Sequence, residues 1–396
     1  MRIAAYHNLH SGGALRTLSE QVRRLSAGHD LALFTLTTAA LADVGGVPVR
    51  VFPFRPGPEL RRPFGRLNRA VRTADLVRLV RVNRRVAHTI DAEGFDVVLV
   101  HPCRFAQAPP LLRYLRTPSV YYCHEPLRRL HEPPVPRPYL RRSRVRRGLD
   151  RVDPAIRLYH TLLQRNDRTA TRAATRVLVN SRFTQANVRR IYGVEAHVCR
   201  HGIDTDRFRP LGLARDGFVL SVGALTPYKG FDLLIEGLAC LPAAVRPPLR
   251  LICNYAEPQE QTYLEGLAAD RRVDLMVRVG VEDGELVAAY NRAVLVAYTP
   301  HREPLGLVPL EAMACATPVV GVDEGGVRET VLHGRTGLRV PRDPRALAKA
   351  IGDLMEYPER AGQMGRAGRR WVVEAWDWEG AVRDLLRHLG VVASDV

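Results

Sequence analysis

Apolar and polar positions along the chain follow two patterns. Short apolar runs rich in valine and leucine are separated by longer segments in which apolar residues return with helical spacing. The runs have the length of buried β-strands, and the longer segments have the period of helices with one buried face. Strands and helices that alternate in this way are typical of an α/β fold with parallel sheets. The predicted strands are 2–6, 31–36, 96–100, 119–123, 177–180, 197–200, 218–222, 250–253, 274–279, 295–298 and 318–322, and the predicted helices are 14–27, 73–90, 231–240, 285–293 and 309–316.

The length of the chain predicts more than one domain. Its 396 residues are too many for one ordinary hydrophobic core and suit two. A turn-rich segment at 202–217 separates two series of strands and helices. We therefore expect two Rossmann-like domains, 1–205 and 206–375, followed by a C-terminal segment at 376–396. Ligands of such sheets bind at the carboxyl ends of the strands, so the cleft between the domains is the expected site.

Basic residues outnumber acidic ones, which gives a formal net charge of +18 and a pI of about 10.3. A chain of this charge is expected to meet anionic partners. Lys229 and Lys349 are the only lysines among the 59 basic residues, so each is of interest. Nine arginines lie within 127–151. This segment is either a solvated loop and helix face or a surface for an anionic acceptor or anionic lipid headgroups.

The cysteines and the apolar segments predict the cellular compartment of the protein. The six cysteines are isolated in sequence, which predicts buried, reduced thiols rather than disulfides or a zinc site. The first residues are too weakly apolar for a signal peptide and predict a strand. The sequence has no apolar run of about 18 residues, so no transmembrane helix is expected. We expect a cytoplasmic protein, and segment 127–151 leaves peripheral contact with the inner face of a membrane open.

Two glutamates, Glu303 and Glu311, lie on either side of a predicted helix start, since Pro309 fits only the first helical turn. Their separation is at most ~12 Å along a helix. Carboxylates accept hydrogen bonds from vicinal hydroxyls, and free amides at a helix start bind phosphate. The amides in question belong to Leu305, Gly306 and Leu307. On spacing alone, a helix-start acid favoured by the helix dipole plus one surface glutamate is the simpler interpretation.

The motifs around these glutamates resemble those of retaining glycosyltransferases of family 4. The stretch 303–311, Glu-Pro-Leu-Gly-Leu-Val-Pro-Leu-Glu, is similar to the E-x7-E signature of that family. The similarity covers 218–340 and includes the loop 221–230, which contains Lys229, and the pair Gly325-Gly326. It implies the GT-B fold, in which two Rossmann-like domains face each other across a cleft. It also implies an acceptor-binding first domain, a second domain that binds the nucleotide sugar, and a helix at 376–396 that crosses back to the first domain.

The resemblance assigns the donor contacts. It implies that Glu303 contacts the donor hexose and Glu311 the ribose. Lys229 is implied to contact the diphosphate, and its compact ammonium suits that role. Val281, which follows the predicted strand 274–279, is expected to contact the donor as well.

Two positions depart from the family pattern. Ala224 stands where the family usually has an arginine that also holds the diphosphate, and Asn254-Tyr255 replaces a usual glycine pair. Either another arginine substitutes at the diphosphate or donor binding is weak. Arg182, within a turn similar to the N-S-x-F motif of the family, is the candidate substitute. The alternative is a helix-start arginine paired with a neighbouring acid.

The first domain has weaker motifs. Residues 121–128, Tyr-Tyr-Cys-His-Glu-Pro-Leu-Arg, resemble a Y-C-H-x-P-x-R segment of family members that often use nucleotide-activated mannose or related hexoses. His124 is then expected to face the cleft near the sugar, although a lone histidine is more often structural. Glu125 and Arg128 are the expected acceptor contacts. Gly13 precedes a helix and is expected to approach the donor, with a tight turn as the alternative.

These features predict a metal-independent, cofactor-free retaining hexosyltransferase with His124, Glu303 and Lys229 as catalytic residues. Its donor would be a GDP- or UDP-sugar, with a mannose-like sugar favoured. Its acceptor would be a hydroxyl of a glycan, glycolipid or small molecule in glycan, glycolipid or natural-product biosynthesis. Catalysis would rest on electrostatic stabilisation of the leaving diphosphate. The histidine pairs 7/10 and 197/201 and the acids at 204 and 206 are interpreted as structural rather than metal-binding.

Several alternatives remain open at this stage. One is a nucleotide-sugar epimerase of the same fold, and another is a glycosidase with Glu303 and Glu311 as acid and base. A third is a non-catalytic relative, which Ala224 suggests. A basic nucleic-acid-binding protein agrees with the charge, but the sequence contains no helix-turn-helix, RNP or zinc pattern, so a nucleic acid partner is not expected.

Overall fold

The computed structural model describes residues 1–60, 67–140 and 153–394. The strands are β1 Arg2–Asn8, β2 Asp30–Leu36, β3 Val49–Phe52, β4 Val97–Cys103, β5 Ser119–Cys123, β6 Arg176–Val179, β7 His197–Val198, β8 Val219–Val222, β9 Leu249–Cys253, β10 Leu275–Val279, β11 Leu295–Tyr298, β12 Val319–Val322 and β13 Gly337–Val340. They form two sheets, ordered β3-β2-β1-β4-β5-β6-β7 and β10-β9-β8-β11-β12-β13. All pairings are parallel. The strand order reverses beside β1 and beside β8, where sheets of this kind bind ligands.

Helices connect the strands in both halves. They are α1 Gly13–Leu25, α2 Asn68–Glu93, α3 Arg128–His131, α4 Pro154–Ala173, α5 Arg182–Tyr192, α6 Phe231–Ala239, α7 Pro258–Arg271, α8 Asp283–Arg292, α9 Leu307–Ala314, α10 Val327–Thr330, α11 Pro344–Glu356, α12 Pro358–Ala375 and α13 Trp378–Ser394. The central strands are buried on both faces: Ile3 and Ala5 pack into one core of the first domain, and Ala4 and Tyr6 into the other. This double burial explains why the strands are continuous apolar runs. The predicted α/β class with two Rossmann-like domains is confirmed.

Several elements were not predicted from the sequence. Strand β3 lies at a sheet edge and leaves Val49 and Val51 exposed, so it lacks a buried apolar run. Helix α7 buries only Glu260, Leu264 and Ala268, a narrow stripe that gives little helical periodicity. Helices α4, α5, α11 and α12 and strand β13 were also missed.

The linker between the domains packs against the C-terminal segment. The Ile203 amide donates to the Trp376 carbonyl at 2.8 Å. A Cβ at Gly202 would lie 2.6 Å from the backbone of Trp378, so only glycine fits there. Helix α13 then buries Val382, Leu385 and neighbouring residues in the core of the first domain. Trp376 thus packs in the core of the second domain and Trp378 in that of the first, on either side of the linker, and the last helix packs on the first domain.

The sequence predicted neither a transmembrane helix nor an exposed cysteine. Within the described residues, no helix is both long enough and apolar enough to span a membrane. All six cysteines are free, but Cys240 at the end of α6 is exposed, so the prediction of buried thiols was wrong for this residue. Residues 141–152 of the arginine-rich segment lie outside the described residues.

Candidate functional site

Lys229 and Glu303 form an ion pair in the cleft. Lys229 ends a 3₁₀ turn, Pro227–Lys229, and its Nζ lies 2.9 Å from Glu303 Oε2. The two side chains are 23% and 18% exposed, so solvent and ligand can reach them. The Thr299 hydroxyl donates to the Lys229 carbonyl at 3.1 Å. Burial raises the pKa of Tyr298, and Glu303, which accepts a hydrogen bond from its hydroxyl, raises it further.

Two glycines hold the loop that carries Glu303. The Gly326 amide donates to the Glu303 carbonyl at 2.8 Å. A Cβ at Gly326 would lie 2.3 Å from the carbonyl oxygen of Pro304, and one at Gly325 would lie 2.4 Å from that of Glu303. Ser181 of the first domain donates to the same Pro304 carbonyl at 2.5 Å. The loop is therefore held from both domains.

Glu311 lies in α9 and is almost fully buried. The Tyr290 hydroxyl donates to Glu311 Oε2 at 2.7 Å, and the Arg16 guanidinium lies 2.9 Å from Glu311 Oε1. Arg16 belongs to α1 of the first domain and remains 43% exposed. Each carboxylate oxygen of Glu311 thus has one partner, and the carboxylate keeps acceptor capacity for a further donor.

His124 follows β5 at its carboxyl end and belongs to a cluster of imidazoles. Its Nε2 lies 3.2 Å from Nδ1 of buried His101, and its ring lies 4.9 Å from the ring of Tyr122. Burial, with a smaller contribution from His201, lowers the pKa of His124 to about 3. Burial also lowers the pKa of His101 well below its ordinary value. His124 is therefore a neutral imidazole at neutral pH.

Glu125 and Arg128 lie beside His124 and face the second domain. Arg128 lies 3.9 Å from the Glu125 carboxylate, and its guanidinium stacks over the ring of Tyr228 at 4.6 Å. Arg128 also donates to the carbonyl of His301. Burial raises the pKa of Glu125 to about 7; Arg128 opposes this shift and Glu303 adds to it.

Most of the other predicted donor contacts lie at the starts of α1, α8 and α9. Gly13 lies against Leu307, since a Cβ on the glycine would be 2.7 Å from Leu307 Cδ1, so the starts of α1 and α9 meet across the cleft. Gly306 has φ +98° and precedes α9, after buried Leu305, and Val281 is half-buried before α8.

Arg182 lies apart from the ion pairs described above. Its side chain is exposed at the start of α5. Its amide donates to Glu329 at 3.1 Å, and the Phe183 amide donates to the same carboxylate at 3.0 Å. In this structure Arg182 contributes backbone to an interdomain contact.

Among the residues that the structure describes, no group of three or more histidine, cysteine, aspartate or glutamate side chains is arranged to hold a metal ion.

Comparison with known proteins agrees with this geometry. Residues 11–207 match the family described as Glycosyltransferase Family 4, and residues 203–371 match Glycosyl transferases group 1. The chain belongs to family 4 of the glycosyltransferases. As a member of this family, it presents facing Rossmann-like domains and a charged cleft between them.

Curated relatives cover part of this family 4 chain. A GDP-mannose-dependent alpha-(1-6)-phosphatidylinositol monomannoside mannosyltransferase of Mycolicibacterium smegmatis is 36% identical over 50% of this chain and 57% of the relative. An alpha-maltose-1-phosphate synthase of the same organism is 32% identical over 54% of this chain and 62% of the relative. The chain thus spans about three fifths of the length of these relatives.

Solved structures share the whole fold. A sucrose-phosphate synthase from Thermosynechococcus elongatus has a TM-score of 0.74 at 21% identity and covers 100% of both chains. HepE of Anabaena, in complex with UDP and glucose, has a TM-score of 0.72 at 21% identity and covers 98% of this chain and 99% of its own. These similarities confirm the GT-B fold.

Sequence reasoning missed three residues at this site. Arg16 and Tyr290 engage Glu311, and Arg137 contacts the turn that carries Lys229. Arg16 follows the Gly12-Gly13 pair at a helix start, and that placement is the one sequence signal that points to it.

Proposed function

We propose that this protein is a retaining hexosyltransferase that moves a sugar from a nucleoside-diphosphate donor to an acceptor hydroxyl. The observation that supports it most is the arrangement of Lys229, Glu303 and Glu311 at the start of α9, opposite the strand end that carries His124. A cation and a helix start suit a diphosphate, and two acids suit the hydroxyls at its two ends.

Donor binding would exchange partners in the cleft. The diphosphate would take the Lys229 ammonium from Glu303, and sugar hydroxyls would replace the ammonium at Glu303. At the other end, the ribose hydroxyls would replace Arg16 at Glu311. The first turn of α9 offers backbone N–H groups that lack partners within the helix, and these would bind the phosphate oxygens between the two acids.

The reaction would proceed on one face of the sugar. The bond from the anomeric carbon to the diphosphate oxygen breaks, and the bond to the acceptor oxygen forms on the same face, which retains configuration. The acceptor proton passes to the departing diphosphate. Lys229 and the α9 amides would stabilise the developing negative charge, and neutral His124 would orient the sugar and acceptor as a hydrogen-bonding group.

GDP-mannose is the first donor to test, because the 36% identical relative is named as GDP-mannose-dependent. Phosphate-bearing inositols are the first acceptors, because that relative acts on a phosphatidylinositol monomannoside and another relative, from Geodermatophilus obscurus, is a D-inositol 3-phosphate glycosyltransferase. The net charge of +18 agrees with an anionic acceptor.

A donor panel tests the proposal. GDP-, UDP-, ADP- and TDP-sugars are compared by thermal shift and then by product formation with and without acceptor. Lys229→Ala and Glu311→Ala should lose most of the shift given by the preferred donor. His124→Ala should keep the shift and lose transfer.

The matched control is Lys349→Ala, which removes the other lysine of the chain from an exposed position on α11. This variant should behave as wild type. Wild-type donor binding by both Lys229→Ala and Glu311→Ala would refute the assigned roles. Sugar interconversion without release of free nucleotide would indicate an epimerase instead.

A further inference from the structure

A short segment of the first domain crosses onto the second. We call residues 133–140, which follow α3, the strap. Its Arg137 contacts three groups of the second domain. The two terminal nitrogens of the guanidinium donate to the Asp232 carboxylate at 3.0 and 3.1 Å. Nε and one terminal nitrogen bond to Glu260 at 2.9 to 3.0 Å, and Arg137 also donates to the Pro227 carbonyl at 3.1 Å.

The strap contact is buried and fully hydrogen-bonded. The Arg137 side chain is 2% exposed and that of Glu260 is 0% exposed. The Tyr139 hydroxyl also donates to Glu260, and the Arg137 guanidinium lies over the ring of Tyr263 at 5.4 Å. Burying charges is costly unless geometry and hydrogen bonds compensate. The hydrogen bonds of the buried Arg137 guanidinium provide that compensation and fix its position against the second domain.

Arg137 contacts both sides of the turn that carries Lys229. Pro227 is the first residue of that turn, and Asp232 lies in the first turn of α6, three residues beyond Lys229. One guanidinium therefore ties the backbone before the lysine to the helix after it. Between these points, Arg128 of the same domain stacks over Tyr228. The first domain thus contacts residues before, within and after the turn, at Pro227, Tyr228 and Asp232.

We propose that Arg137 is a positioning residue for Lys229, through which the first domain sets the affinity of the site for a diphosphate. The inference rests on the proposed function, because it takes Lys229 as the diphosphate cation. The planar guanidinium matters because a lysine ammonium cannot reach two carboxylates and a carbonyl at once. The strap is then part of the donor site although it belongs to the acceptor domain.

The test compares ligands with and without the second phosphate. Arg137→Met is combined with Glu260→Gln, so that no buried carboxylate is left without its cation. Calorimetry then measures the affinity for a nucleoside diphosphate and for the matching monophosphate. We expect the diphosphate affinity to fall by about tenfold, the order of one charge-assisted hydrogen bond, and the monophosphate affinity to stay the same.

A second set of variants separates positioning from general stability. The same double substitution in a Lys229→Ala background should cause no further loss of diphosphate affinity. Arg137→Lys should recover only part of the affinity, because it restores charge without the bidentate geometry. Arg215→Met is the matched control, since Arg215 also binds carbonyl groups, of residues 290, 293 and 316, but away from the turn.

Each outcome has a distinct meaning. Equal losses for the monophosphate and the diphosphate, or a further loss in the Lys229→Ala background, would overturn the inference and leave Arg137 a structural residue. A normal diphosphate affinity in the Arg137 variant together with a loss in Lys229→Ala would also overturn it, while the proposed function stands. No loss in Lys229→Ala would refute the proposed role of Lys229 itself.

Discussion

Replacement of His124 by glutamine should make the stability of the protein less sensitive to acid. Burial lowers the pKa of His124 to about 3 in the native state. In the unfolded chain, a histidine titrates with a pKa of about 6.5. Below that value the unfolded state binds a proton that the native state does not, so the free energy of unfolding falls as the pH falls.

The size of the effect follows from the two pKa values. At about pH 5.5, proton binding to the unfolded histidine stabilises the unfolded state by about 1.4 kcal/mol, whereas at about pH 7.5 the same contribution is below about 0.1 kcal/mol. Other groups also titrate in this range. Burial raises the pKa of Asp167 to about 6 and that of Glu125 to about 7. Ionising these carboxyls destabilises the native state near neutral pH, and this penalty decreases as the pH falls. The prediction therefore concerns the difference between variant and wild type, in which those terms cancel.

Urea unfolding measures this difference. Relative to wild type, His124→Gln should gain about 1.3 kcal/mol in free energy of unfolding when the pH changes from about 7.5 to about 5.5. His88→Gln makes the same substitution at an exposed position of α2 and is the matched control for the loss of one histidine. An equal difference from wild type at both pH values for His124→Gln would show that His124 is not held neutral, and the role assigned to its neutral ring would fail.

Three further changes give specific expectations. Glu303→Gln should bind a nucleoside diphosphate several-fold more tightly than wild type in calorimetry. The reason is that the partly exposed ion pair, worth about 0.5–1 kcal/mol, no longer competes for the Lys229 ammonium. The same variant should lose transfer activity. Arg16→Ala should lower the free energy of unfolding by about 1–2 kcal/mol in urea titrations, since it leaves a buried carboxylate with one partner; an unchanged value would contradict the pairing. Gly326→Ala should weaken donor binding in thermal-shift assays because the new methyl group meets the Pro304 backbone, whereas Gly266→Ala, with open space in α7, should keep it.

The fold was largely predictable because its signals are local. Buried parallel strands produce apolar runs such as 97–100 that can be recognised without their partners, and the order of strands and helices then determines the class. Strand β3 escaped prediction because its side chains remain in solvent. Helices such as α7 bury few apolar residues, so the helical spacing of apolar positions is weak in their sequence.

Residues of the candidate site were predictable from the sequence only where they belong to a recognisable motif. Glu303, Glu311 and Lys229 lie in one domain and within two recognisable motifs, 303–311 and 221–230, and the structure brings Lys229 and Glu303 together. Arg16 lies 295 positions from Glu311 in sequence, and Arg137 lies 95 positions from Asp232. Such pairings depend on how the two domains meet, which a single sequence does not encode in any local pattern.

The charge pattern of the cleft clarifies the meaning of the high net charge. The acids described here in the cleft each have a cationic partner: Glu303 has Lys229, and Glu311 has Arg16. These two pairs carry no net positive charge, so by themselves they do not account for the charge of +18. Under the proposed function, a donor must supply hydroxyls to the acids as it takes over their cations. A nucleoside-diphosphate sugar carries both kinds of group, whereas a DNA backbone would place phosphate opposite the buried Glu311 carboxylate. Under the proposed function, the acids of the cleft therefore favour the sugar nucleotide over DNA.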